Sequence, residues 1–105
     1  MTPAPALSLT DAPERSRYEA HEAGELAGFV DYRAMRGRLT IIHTEVLQGR
    51  EGRGVATRLA RFVLDDVRAR GLRIVIVCPF FRAYLARHPR DLDLVLAGGP
   101  GADRP

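Results

Sequence analysis

The chain contains no lysine; all 16 of its basic residues are arginine. Arginine stays protonated near neutral pH and is no practical acyl acceptor, so the protein has no lysine on which to acylate itself. Its single cysteine, Cys78, rules out an internal disulfide and fits a reducing cytoplasm. His21, His43 and His88 are far apart in sequence, so no metal-ligand spacing is present and no metal is expected. No run approaches the ~20 apolar residues of a membrane span. The opening MTPAPALSLT has neither a basic start nor a sustained apolar segment, so no secretory signal is expected there. Internal repeats are absent too. What remains is a 105-residue chain, 46% hydrophobic and 28% charged, with room for one domain and no second core. The net charge of +3 suits a polyanionic cofactor and makes only a weak case for nucleic acid.

The most informative stretch runs from Arg38 to Arg70. Leu39, Ile41, His43, Glu45 and Leu47 alternate with Thr40, Ile42, Thr44 and Val46, the period of a strand. Gly49, Gly52 and Gly54 follow, and from Val55 the period changes. Val55, Leu59, Phe62, Val63 and Val67 make one helical stripe. A Gly-rich turn feeding a helix N-terminus presents unpaired amides and a partial positive charge, which suits a phosphate. A Walker loop is excluded because no Gly-Lys-Ser/Thr ending exists. A dinucleotide fingerprint is incomplete, because Val55, Ala56 and Thr57 follow Gly54 and the third Gly is missing.

In chain order, residues 1–14 read as a flexible N-terminal tail rich in Pro, Ala and Thr. Strands are expected at Arg15–His21, Leu26–Arg33 and Arg38–Leu47, joined by turns at Glu22-Ala23-Gly24 and Met35-Arg36-Gly37 as an antiparallel meander. Gly71 is placed to end the helix. Leu72–Cys78 is nearly continuous apolar sequence, a covered strand. A right-handed crossover sets it parallel to Arg38–Leu47. Pro79 opens a short helix to Arg87, and His88-Pro89 ends it. Leu92–Leu96 forms an edge strand or a last turn, and residues 98–105 read as a C-terminal tail. The fold class is α/β, with the domain at 15–97.

GREGRGVATRLARFVLDDVRARG resembles the acyl-CoA-binding loop and helix of the GCN5-related N-acetyltransferase family. Gly52 and Gly54 match its two small positions, while Gly49 falls on its polar one. From Tyr18 to about Val95 the chain is similar to the short subgroup sometimes called Yjdj-type. Its marks are His43-Thr44-Glu45-Val46, Gly-x-Gly-Val-Ala, Cys78 at a strand end, and Tyr84 followed by His88-Pro89. The resemblance implies a compact acyl-CoA N-acyltransferase-like fold. The family's first strand, first two helices and final strands are expected to be absent or reduced.

The resemblance also implies a chemistry. Two parallel strands should splay beside the loop and receive pantetheine of acetyl-CoA, the cosubstrate. Val46 and Leu47 would contact pantetheine by backbone, with Phe81 lining it. Arg50, Glu51, Gly52, Arg53, Gly54 and Val55 would wrap the pyrophosphate, the guanidinium groups of Arg50 and Arg53 assisting. Glu45 or His43, about 7 Å apart in an extended strand, could deprotonate an amine. Imidazole has the better ordinary pKa for this, and a carboxylate would need burial. Cys78 could carry the acetyl group covalently or merely pack. Tyr84 could protonate the departing thiolate or merely pack. Three functions follow: an acetyl-CoA-dependent N-acetyltransferase, an acyl-CoA-binding or sensing module with little turnover, and a basic nucleic-acid-binding domain using Arg50, Arg53, Arg58 and Arg61. The first is favoured, with an amine acceptor, no membrane partner, a cytoplasmic location and a monomeric or weakly dimeric state.

Overall fold

A computed structural model describes residues 6–96, in which the alternating segments pair in the order of the chain. Strands β1 (Leu7–Ala12), β2 (Arg17–Glu22), β3 (Glu25–Met35) and β4 (Arg38–Val46) are successively antiparallel. Helix α1 (Val55–Ala69) then crosses over to β5 (Arg73–Ile76), which lies parallel to β4. A short helix, α2 (Pro79–Arg87), and a 3-10 segment, Pro89–Leu94, complete the described chain. The meander, crossover and parallel strand are those expected from periodicity.

The expected N-terminal tail is corrected over most of its length. Leu7–Ala12 is an edge strand in register with β2, and Pro13–Arg15 is a 3-10 turn. Leu7 and Leu9 alternate with Ser8 and Thr10 and pack against the core, a period of two hidden beside Pro3 and Pro5. The first strand, expected to be absent or reduced, is thus present. Residues 1–5 and the expected tail at 98–105 lie outside the described residues.

Each helix boundary has a local cause. Arg70 caps α1, Gly71 sits at φ 68°, and the Gly71 and Leu72 amides donate to the Arg68 and Val67 carbonyls. This is the Schellman arrangement, which satisfies carbonyls the helix leaves open. Pro79 occupies the first turn of α2, where a missing N–H costs nothing. The buried face of α1 is Val55, Leu59, Ala60, Val63, Leu64 and Val67. It joins Tyr18, Val30, Tyr32, Leu39 and Ile41 from the sheet and Phe81, Tyr84 and Leu85 from α2 in one core.

Two irregularities position the site. Asp31 lies opposite His43 but Tyr32 lies opposite Ile41, so Ile42 is an extra residue in β4. Strict alternation would have put His43 and Glu45 on the face of Leu39 and Ile41. The bulge instead gives that core face Thr44 and Val46, and turns His43 and Glu45 outward opposite Asp31 and Phe29. The second irregularity is where β5 stops. Its ladder with β4 covers only Arg38–Ile41, and the Val77 and Cys78 amides both end on the Ile41 carbonyl. Among the described residues, β4 has no partner strand on that side from Ile42 to Val46. Beyond β5, Val95 forms a single parallel bridge to Ile74, so the C-terminal segment combines a turn with the remnant of a strand.

Candidate active site

The open end of β4 leads directly into the loop at residues 47–54. The Leu47 amide is held by the Ala27 carbonyl at 2.9 Å and the Arg50 amide by the Leu47 carbonyl at 3.0 Å. Gly49, Gly52 and Gly54 all take positive φ, and residues 51–54 are exposed. Gly54 is the residue before α1, and no side chain caps the helix there. The first intrahelical bond runs from the Arg58 amide to the Gly54 carbonyl, so the amides of Val55, Ala56 and Thr57 precede the ladder. The first turn holds no acidic residue either. An uncapped helix start behind a left-handed Gly turn has the donor set a diphosphate requires.

The arginines of the loop are not free. Arg50 donates to Glu22 and to Glu25 at 2.6 Å each, and Arg53 donates to Glu22 at 2.8 Å. Glu51 turns inward on its own loop and accepts from the Gly49 amide at 2.9 Å. Arg61 is likewise tied to Asp65 and Asp91. Arg50, Arg53 and Arg61, all proposed for a nucleic-acid patch, are therefore already engaged by carboxylates.

His43 and Glu45 come together on the outward face of β4. His43 Nε2 lies 2.8 Å from a Glu45 carboxylate oxygen, and their side chains are 53% and 48% exposed. Donation from Nε2 leaves the lone pair of a neutral His43 on Nδ1. Phe29 meets the imidazole edge-on, with centroids 6.4 Å apart, and the Arg17 guanidinium covers the Phe29 ring. The pair is thus ordered by its neighbours and open to solvent.

Cys78 lies on the other side of the strand. Its sulfur is 3.3 Å from the Thr44 hydroxyl, and the residue is buried where β5 gives way to α2. Thr44 and His43 point to opposite faces, so the thiol and the His43–Glu45 pair flank the unpaired stretch of β4 from its two sides. Tyr84 is buried in α2, near Phe80 and stacked on His88 with centroids 4.0 Å apart. His88 donates from Nδ1 to the Tyr84 carbonyl at 2.9 Å, closing an open carbonyl at the end of α2. Its place is that of a helix terminator. Phe81 is fully buried in the core, while Val46 and Leu47 are half-buried beside the loop.

Glu22, Glu25, Thr44 and Gly28 also shape this region and escaped the sequence reading. A Cβ on Gly28 would meet the Glu45 carbonyl oxygen at 2.8 Å and Val55 Cγ1 at 3.0 Å, so this residue lets β4 and α1 close together. The available signal was the pair of acids flanking Ala23-Gly24 and the Arg50-x-x-Arg53 spacing. Only the topology shows that they meet. Among the described residues no group of His, Cys, Asp or Glu could hold a metal ion, and no helix is long and apolar enough to cross a membrane.

Comparison with known proteins fits this geometry. A family model described as GCN5-related N-acetyl-transferase matches residues 17–94. The solution structure of a GCN5-like protein from Staphylococcus aureus aligns over 93% of this chain and 94% of its own, at 21% identity and a TM-score of 0.66. A crystal structure of a GNAT family acetyltransferase from Brucella melitensis, in complex with acetyl-CoA, is 25% identical with a TM-score of 0.53. The alignment covers 65% of this chain but only 50% of that protein. A ribosomal-protein-alanine N-acetyltransferase from Brucella melitensis biovar Abortus is 20% identical, with 85% and 66% of the two chains covered and a TM-score of 0.57. No curated protein is similar enough to the chain to count as a match.

Proposed function

Because the chain belongs to the GCN5-related N-acetyltransferase family, we propose that it transfers an acetyl group from acetyl-CoA to an amine by direct attack on the thioester. The observation that carries this reading is the end of the β4–β5 ladder at Ile41 and Ile76, beside an uncapped helix start. Backbone groups of Ile42–Val46 are left available to an extended amide-bearing arm such as pantetheine, and the loop at 50–55 to its diphosphate. The acetyl-CoA in the Brucella melitensis complex supports the same cosubstrate here.

On this reading the His43–Glu45 pair takes the proton of the incoming ammonium. The amine nitrogen bonds to the acetyl carbon and the carbon–sulfur bond breaks; Tyr84 gives its proton to the thiolate, and the second proton shed by the nitrogen restores the Tyr84 hydroxyl through solvent. Cys78 packs against Thr44 and carries no acetyl group. A binding module with little turnover is the second reading, favoured by the half exposure of the His43–Glu45 pair, which leaves the acceptor side open to solvent.

Thiol release from acetyl-CoA, followed with polyamines, lysine peptides and small amines, tests the proposal. Removing the general base by Glu45→Gln or His43→Ala should lower kcat by about 100-fold or more. Both side chains are about half exposed, so the melting temperature should move little. Tyr84→Phe should lower kcat with KM unchanged, and Cys78→Ala should leave turnover within a few-fold. Thermal stabilisation by acetyl-CoA without thiol release would select the binding module. No stabilisation at large excess would reject both readings.

A further inference from the structure

The β2–β3 hairpin sends two carboxylates back to the loop before α1. One oxygen of Glu22 accepts from Arg50 at 2.6 Å and the other accepts from Arg53 at 2.8 Å. Glu25 takes the second terminal nitrogen of Arg50 at 2.6 Å. The two acids are not equivalent, since the Glu22 side chain is 16% exposed and that of Glu25 74%. A single sheltered carboxylate therefore spans the two guanidinium groups of a turn whose glycines hold three left-handed conformations. Left alone, such a turn has little to hold it in one conformation. Each guanidinium has five N–H groups. Arg50 spends one on each of two carboxylates and Arg53 one on Glu22, so both keep donors to spare.

We propose that Glu22 is a positioning residue for the phosphate-binding turn. Gripping Arg50 and Arg53 together, it fixes the turn in the shape that accepts a polyphosphate, whose oxygens take the guanidinium hydrogens left unused. The inference rests on the acetyl-CoA reading above, and it opposes the simplest electrostatic expectation. A carboxylate near a phosphate site repels the ligand, so its neutralisation should tighten binding. A carboxylate that orders the site has the reverse effect, because the guanidinium groups and the turn must then be ordered at the ligand's expense.

Steady-state kinetics with acetyl-CoA and with acetyl-pantetheine, which lacks the diphosphate, separate these effects. Glu22→Gln should raise KM for acetyl-CoA about tenfold, leave kcat at saturation unchanged, and leave KM for acetyl-pantetheine unaltered. Glu22→Asp, which keeps the charge and can retain one bridge, should fall between. Glu14→Gln, the same charge change at the distant 3-10 turn, should match the parent protein. A tighter KM for acetyl-CoA in Glu22→Gln, or an equal rise for both thioesters, would overturn the proposal. Amide hydrogen exchange at Gly49 and Arg50 of the free protein, whose amides are bonded to the Glu51 carboxylate and the Leu47 carbonyl, gives a readout independent of turnover. It should speed up in Glu22→Gln, and unchanged exchange would also count against the proposal. Were the parent protein to bind no CoA, the functional reading would fail, while exchange would still report whether Glu22 orders the turn.

Discussion

A single carboxylate makes the acid stability of this protein predictable. Glu19 is only 2% exposed, because Arg15 reaches it at 2.7 and 3.1 Å and Arg17 at 2.8 Å. The hydrogen bond from Arg15 is the main cause that holds its carboxyl at about 2, with Arg17 adding to it against the opposing effect of burial. A folded value below the unfolded one stabilises the protein fully above about pH 4.5. That contribution disappears as the pH falls through about 2. The loss should be on the order of 2 kcal/mol, discounted because the Arg15 side chain is half exposed. Urea unfolding at pH 5, 3 and 2 measures it, and Glu19→Gln should flatten this part of the pH dependence. An unchanged slope in the variant would show that other carboxylates dominate; Asp91, lowered chiefly by its bond from Arg61, is the first of them. Tyr18 and Tyr32 extend the same pattern. Burial, reinforced by their bonds to Asp66 and Asp11, holds both phenols above the ordinary range. Tyr18 was legible as a strand residue. Its carboxylate partner is 48 positions away, so nothing local in the sequence could name it.

The elements themselves were readable wherever a period was long or a turn residue unambiguous. Val55–Ala69 declares itself by its stripe, Gly71 by its helix-ending position and Pro79 by its fixed φ. The bulge at Ile42 was not, because an extra β-branched residue in a strand looks like ordinary alternation. Its consequence is positional: it moves His43 and Glu45 to the outward face, while Thr44 takes the core side with Cys78. His43 and Glu45 still share one face, because residues two apart do so on either side of a bulge. Gly28 and Gly54 show two different reasons for glycine at such junctions. An alanine at Gly54 would meet nothing within 4 Å but would hold φ at +79°, a backbone cost of about 1–2 kcal/mol. At Gly28 the added carbon would press on the Glu45 carbonyl oxygen at 2.8 Å, so β4 must shift, costing about 1–3 kcal/mol. Gly54→Ala should therefore weaken acetyl-CoA binding with kcat preserved at saturation. Gly28→Ala should lower kcat, because the displaced strand carries Glu45. Parallel measurements of kcat and KM distinguish the two.

For the molecule as a whole, the weak point is the strand that bounds the gap. With only four residues, β5 is paired to β4 along Arg38–Ile41; among the described residues its outer edge meets the Val95 bridge and the Leu96 amide at Ile74, and the Arg82 side chain, which donates to the Ile76 carbonyl at 3.2 Å. That outer segment buries Leu94 and packs Val95 against the core, and ion pairs reinforce it. Arg61 grips Asp91 with bonds of 2.8 and 3.0 Å, and Arg68 adds one at 3.2 Å. Arg68 also binds Asp93 twice at 2.9 Å, and Arg73 of β5 reaches the Asp93 carbonyl at 2.6 Å. Asp91 is buried, so removing its charge leaves Arg61 and Arg68 facing a neutral partner. Asp91→Asn should cost about 2–3 kcal/mol, at or below the usual range for a broken buried pair because both arginines are partly exposed. The loss should be uneven across the sheet. The β2–β3 and β3–β4 ladders close without this segment and should keep their protection in amide exchange. The amides of Arg73 and Val77, which donate to the Gly37 and Ile41 carbonyls, should exchange faster, and KM for acetyl-CoA should rise as the strand bounding the gap loosens. Uniform acceleration over the whole sheet would instead mean that the molecule opens as one unit, with the gap held by the core rather than by the C-terminal clamp.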